Sequence, residues 1–77
     1  MMKVKILTPV SVREFEADAV FLPGTLGSFE VLPGHAPILS SLEKGSVRWR
    51  LAGREESFDI IGGVMRFRDD DMYICAE

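Results

Sequence analysis

Few side chains in this sequence could do chemistry. His35 is the only histidine and Cys75 the only cysteine among the 77 residues. A catalytic histidine works beside a nucleophile or an orienting carboxylate. His35 stands instead in Pro33-Gly34-His35-Ala36-Pro37, among turn residues, and reads as a turn histidine whose ring bonds backbone or a partner. Cys75 has no second cysteine to pair with, so no disulfide forms within the chain. It is expected as a buried, reduced thiol. No CxxC or HxxxH spacing occurs, which leaves no zinc set. Asp69-Asp70-Asp71 lacks the spaced oxygens, glycine and distant glutamate of a calcium loop, and reads as a solvated turn. Gly24-Thr25-Leu26-Gly27 has no following lysine and leads into a strand pattern, so it is no phosphate cradle. Its glycines suit positive φ in tight turns. Arg48-Trp49-Arg50 has the composition of a stacking patch for single-stranded nucleic acid. In a strand, however, Trp49 faces away from both arginines, giving a core tryptophan between solvated charges. We therefore expect no catalytic set, no metal, no cofactor and no enzyme.

The elements that must position these residues are short. Gly and Pro interrupt the chain at Pro9, Pro23-Gly24, Gly27, Pro33-Gly34, Pro37, Gly45, Gly53 and Gly62-Gly63. The apolar-rich runs between them, of about 5–8 residues, are too short for ordinary helices. Val47-Arg48-Trp49-Arg50-Leu51 alternates with period two, Phe58-Asp59-Ile60 behaves alike, and Met72-Tyr73-Ile74-Cys75-Ala76 does so less cleanly. Strands are predicted over 3–8, 11–16, 19–22, 28–32, 38–43, 46–51, 56–61, 64–68 and 72–76. Leu51-Ala52-Gly53-Arg54 is predicted as a hairpin and Asp69-Asp70-Asp71 as the next reversal. Residues 36–44 also suit a helix, with Ile38, Leu39 and Leu42 on one turn, Pro37 before them and Gly45 after. The all-β context favours strand. Glu14, Glu16 and Asp18 read as an exposed edge whose charges discourage edge-to-edge pairing. The fold class is all-β, a single domain over 1–77 in the form of a sandwich or barrel.

Composition narrows the partners. A formal charge of −3 argues against nucleic acid, which requires a basic stripe. No secretory h-region opens the chain and no run approaches about 18 apolar residues, so no direct membrane insertion is expected. A cytosolic location is expected, beside a membrane only through a partner. A domain this small has little spare stability and leans on packing or on a partner.

The central stretch Leu22-Pro23-Gly24-Thr25-Leu26-Gly27-Ser28-Phe29-Glu30-Val31-Leu32-Pro33-Gly34-His35-Ala36-Pro37-Ile38-Leu39 resembles the signature of the epsilon subunit of F-type ATP synthases, with Pro-Gly-His-Ala-Pro its strongest part. Leu42, Gly45, Gly62-Gly63, the opening Val4-Lys5-Ile6-Leu7-Thr8-Pro9 and Phe15 match as well. The resemblance implies a β-sandwich of about ten antiparallel strands. It also implies a non-catalytic rotor part of the central stalk, bound to the gamma subunit and to the c-ring and coupling their rotation to ATP synthesis. The complex would hold it peripherally at the cytoplasmic face of the inner membrane. The implied gamma-side contacts are Pro9, Gly34, His35, Ala36 and Pro37. The implied c-ring-side contacts are Gly27, Ser28 and Glu30. Ser28 stands where many members carry an acidic residue, and Glu30 where many carry glycine. Typical bacterial members continue as a helical hairpin that can inhibit hydrolysis and in some members binds ATP. This sequence does not include it, so neither ATP binding nor hairpin-type inhibition is expected of this chain.

Two rivals stand beside this reading. One is a stand-alone small-ligand-binding β-sandwich, for a ligand such as a sugar or an anion, which should show a concave pocket with convergent polar groups. The other is a small enzyme using His35 and Cys75. A rotor part should instead show an apolar surface suited to a protein partner.

Overall fold

The computed structural model describes all of residues 1–77 and contains nine strands. These are β1 (Met2–Leu7), β2 (Val12–Ala17), β3 (Ala19–Gly24), β4 (Gly27–Val31), β5 (Ile38–Leu42), β6 (Gly45–Leu51), β7 (Arg54–Ile60), β8 (Gly63–Arg68) and β9 (Asp71–Ala76). Each predicted strand is present with ends moved by at most two residues. The ambiguous 36–44 segment is a strand. Its helix-like spacing arises because Leu39 points out to solvent while Leu42 points into the core. The count is nine where about ten were implied, and the pairing is not wholly antiparallel, because β1 and β9 run parallel.

One long bent hairpin organises the sheet. β5 and β6 run on from each other and pair with β8 and β7 in an unbroken register, Leu42 facing Gly63 and Gly45 facing Ile60. Between those pairs the hairpin turns a corner, with β5 and β8 entering one layer and β6 and β7 the other. The first layer has the order β2-β1-β9-β8-β5, and the second joins β4 to β3, β6 and β7. They meet where Gly24 of β3 pairs with Leu42. Glycine is required at the corner by close approach. A Cβ on Gly63 would lie 2.3 Å from the Cys75 carbonyl oxygen, and one on Gly24 would lie 2.7 Å from the Gly27 carbonyl oxygen and from the Phe29 ring.

Alternation then fills the space between the layers. Met2, Val4 and Ile6 of β1, Met65 and Phe67 of β8, and Met72, Ile74 and Ala76 of β9 point inward. They meet Val20 and Leu22 of β3, Val31 of β4, and Val47 and Trp49 of β6. No polar or charged side chain is buried. Trp49 is core, as the alternation predicted, and Phe15 of β2 stacks on it across the layers, centroids 4.0 Å apart at 18°. Arg48 and Arg50 lie outside, both against the Phe21 ring, and Arg48 bonds Glu55 at 2.8 Å.

The expectation for Cys75 fails. It is exposed, because Met72, Ile74 and Ala76 take every inward position of β9 and the pleat turns Tyr73 and Cys75 outward. General cysteine burial loses here to strand parity.

Trp49→Ala removes the core indole on which Phe15 stacks. We expect a loss of about 3–5 kcal/mol, enough to abolish cooperative unfolding in a urea titration of a domain this small.

Candidate functional site

The sites expected from sequence are distributed over two ends and one face of the sandwich. At the first end, Leu32-Pro33-Gly34-His35 forms a turn closed by the His35 N–H donating to the Leu32 carbonyl at 3.1 Å. Proline at the second position and Gly34 at φ +84° at the third suit a type II turn, which requires positive φ there. The turn lies on the crossover from β4 to β5. The Gly34 N–H donates to Asp70 Oδ1 at 2.7 Å, joining the crossover to the β8–β9 turn. His35 is exposed. Its Nδ1 lies 2.7 Å from the Ala36 carbonyl, so that nitrogen carries a proton and donates to it. The ring meets Phe67 edge-on at 6.3 Å. The structure thus brings Gly34, His35, Ala36 and Pro37 together.

Pro9 does not join them. β1 begins beside the β8–β9 turn, with Lys3 opposite Asp71, and ends with Leu7 opposite Cys75. The β1–β2 turn that carries Pro9 is therefore at the other end of the layer, roughly 15–20 Å away at the rise of a strand. That turn is tied by Thr8 and Ser11, whose backbone N–H and C=O meet at 2.9 Å and whose hydroxyls meet at 2.7 Å.

The second carried-over set is on the β3–β4 hairpin. Gly27, at φ +129°, ends its tip, and Ser28 and Glu30 share the outward face of β4 while Phe29 and Val31 turn inward. Leu26 at the tip is fully exposed. Thr25 holds the tip to β5, its N–H on the Ser41 carbonyl at 3.1 Å and its hydroxyl 2.7 Å from that of Ser41.

Sequence reasoning missed the face between these ends. On the outer side of the five-stranded layer, Val64, Cys75, Leu7 and Val12 stand in one register row across β8, β9, β1 and β2. Leu39, Arg66, Tyr73, Lys5 and Glu14 form the next row. Val12, Leu39 and Val64 expose 59, 76 and 48% of their surface, and Val10 beyond the row exposes 94%. An apolar row thus crosses four strands beside a mixed row that carries Arg66, Lys5 and Glu14. The available signal was the set of apolar residues at outward parity, which the alternation marked but no motif did.

Several charged groups beside these sites are engaged locally. Lys5 Nζ pairs with Glu14 at 3.0 Å, Asp69 with Arg68 at 3.4 Å, and Asp70 with Gly34. The Asp69–Asp71 turn therefore diverges, with φ +51° and +61° at its first two residues. His35 and Cys75 lie toward opposite ends of β9, since the His35 turn is fixed to Asp70 and Cys75 pairs with Leu7 and Val64. The structure has no helix long and apolar enough to cross a membrane.

Two layers sharing a polar-free core, with tight turns at both ends, define a small β-sandwich domain. A profile of the family described as "ATP synthase, Delta/Epsilon chain, beta-sandwich domain" matches residues 1–77, and the chain belongs to that family. It is 38% identical over 77 residues to the ATP synthase epsilon chain of Trichlorobacter lovleyi, covering 99% of this chain and 56% of that one. It is 36% identical over 75 residues to the epsilon chain of Myxococcus xanthus, covering 96% and 55%. The chain thus spans little more than half the length of these curated relatives. Its fold matches a chain in the cryo-EM structure of the Euglena gracilis mitochondrial ATP synthase (OSCP/F1/c-ring) with a TM-score of 0.90 at 18% identity, over 97% of this chain and 49% of that one. A chain of the Tetrahymena thermophila mitochondrial ATP synthase central stalk and c-ring matches with a TM-score of 0.78 at 17% identity, over 97% and 62%.

The Lys5 amine is raised above its ordinary value by its hydrogen bond to Glu14 and then by the charge of that carboxylate. A raised lysine contributes its stabilisation fully below the ordinary value and loses it as pH rises through the raised one. In a 15Nζ titration, Glu14→Gln should return Lys5 toward the ordinary lysine value.

Proposed function

We propose that this chain is the β-sandwich part of an ATP synthase epsilon subunit, a non-catalytic element of the central stalk that couples c-ring rotation to the gamma subunit. The observation that carries the reading is the apolar row Val64–Cys75–Leu7–Val12 on the outer face. An outward apolar row, with Val12, Cys75 and Val64 exposed and Leu7 half-buried, suits a protein partner better than a small ligand. The best-defined groove on the surface is open and lined by Lys3, Lys5, Glu14, Glu16, Asp71 and Tyr73 among others. Its Lys5 and Glu14 already satisfy each other, and it is open rather than a concavity that would enclose a small ligand.

Gamma is the partner proposed for this face. A contact covering both Pro9 and the turn of Gly34, His35, Ala36 and Pro37 must run the length of the β1–β9–β8 layer, and the apolar row occupies its Pro9 end. The β3–β4 hairpin, with Gly27, Ser28 and Glu30, is proposed as the c-ring side. Glu30 on the outward face of β4 can present the acidic contact that Ser28 lacks. The complex then holds the chain peripherally at the cytoplasmic membrane face, and the sandwich itself binds no ATP. Support comes from the family, from the named relatives and from the sandwich's stiffness, since a densely packed interior transmits load with little deformation.

Cys75 sits within the row and is the only thiol, so it reports directly on this contact. In the free chain it should react with a thiol reagent without unfolding. Added gamma from the same source should slow that reaction at least tenfold. Val12→Ser with Val64→Ser should weaken gamma binding by a similar factor while circular dichroism stays native. His35→Ala should weaken gamma binding and spare the fold. Unchanged Cys75 labelling in a formed gamma complex would exclude this face. Tight ATP binding in calorimetry would refute the nucleotide expectation.

A further inference from the structure

We infer that Asp70 is the positioning residue of the His35 turn: its carboxylate latches the β4–β5 crossover to the β8–β9 turn and fixes how that turn is presented. A type II turn satisfies the N–H of its fourth residue, here His35, and leaves the N–H of its third, Gly34, without a partner inside the turn. The Asp70 carboxylate takes that donor at 2.7 Å from 36 positions away in sequence. A backbone N–H on a carboxylate is among the stronger hydrogen bonds available at a surface. The same residue acts through its main chain, since its carbonyl accepts the Lys3 N–H at 2.9 Å at the start of β1. Asp70 thus joins three segments: the crossover between the layers, the β8–β9 hairpin and the first strand. Its neighbours do not share the task, because Asp69 pairs with Arg68 and Asp71 lies in the β9 register opposite Arg68 and Lys3. Apart from the turn's own closure, the Gly34–Asp70 bond is the only recorded hydrogen bond that ties residues 32–37 to another part of the fold. The orientation of the His35 turn follows from this one attachment, together with the ring's bond to the Ala36 carbonyl and its edge contact to Phe67.

The backbone at Asp70 dictates the choice of variants. Its φ is +61°, a conformation that glycine and asparagine adopt readily and alanine does not. Asp70→Gly therefore removes the carboxylate without adding strain, and Asp70→Asn keeps an acceptor oxygen without its charge. In amide hydrogen exchange on the 77-residue chain, D70G should speed Gly34 exchange by about tenfold and leave the inward strand amides at their original rates. D70N should stay close to wild type. In the unmodified chain, the Gly34 amide proton resonance should follow protonation of Asp70 in an acid titration, a measurement that does not depend on any variant folding. A Gly34 amide that ignores that titration overturns the latch. So does unchanged Gly34 exchange in D70G, or strand amides that accelerate in the same proportion. The latch by itself does not require gamma; only its consequence for gamma rests on the reading under Proposed function. If D70G frees the Gly34 amide and gamma affinity falls, both stand. If the amide is freed and gamma affinity is unchanged, the latch stands and the assignment of the His35 turn to gamma falls.

Discussion

The fold depends on two strands bending together. Residues 38–51 and 54–67 pair in one register from end to end, yet the two halves lie in different layers. Both chains must therefore turn the same corner at the same place without losing register. Side chains there would collide with backbone, which is why Gly63 lies against the Cys75 carbonyl and Gly24 against the Gly27 carbonyl. Once the corner is made, the inward faces of the layers close on each other, and the only side chains between them are apolar. A stray polar group in so small a core would consume much of a stability of about 4–12 kcal/mol.

Closure of the core also dictates what the surface can be. With each strand's inward parity committed to packing, every outward position is free of structural demand. Apolar residues there need another explanation. Leu7, Val12, Val64 and Cys75 gather in one row across four strands, which scattered surface hydrophobes would not do. Charged residues lie beside the row, where Lys5 pairs with Glu14 and Arg66 lies over the Tyr73 ring. The result is an apolar row beside a row that carries charge, the pairing that the proposed protein contact would use. The sandwich beneath gives that face its rigidity.

Period-two alternation and the positions of Gly and Pro are local properties, so the sequence by itself determined the all-β class, the nine strands to within two residues, the Ala52-Gly53 and Asp69-Asp70 reversals and the inward Trp49. The Pro33-Gly34 pair likewise specified a turn before any partner for it was known. The central motif carried the family, because its residues are contiguous. Cys75 shows where a general rule about residue type misleads: the parity of β9, written in Met72, Ile74 and Ala76, was the better guide. Which strands would pair, apart from those joined by these tight turns, was decided only by the tertiary structure. The parallel β1–β9 ladder, the shared corner of the long hairpin, the apolar row across four strands and the Asp70–Gly34 bond all join residues distant in sequence. No local pattern encodes them, because each exists only once the two layers have closed on a common core.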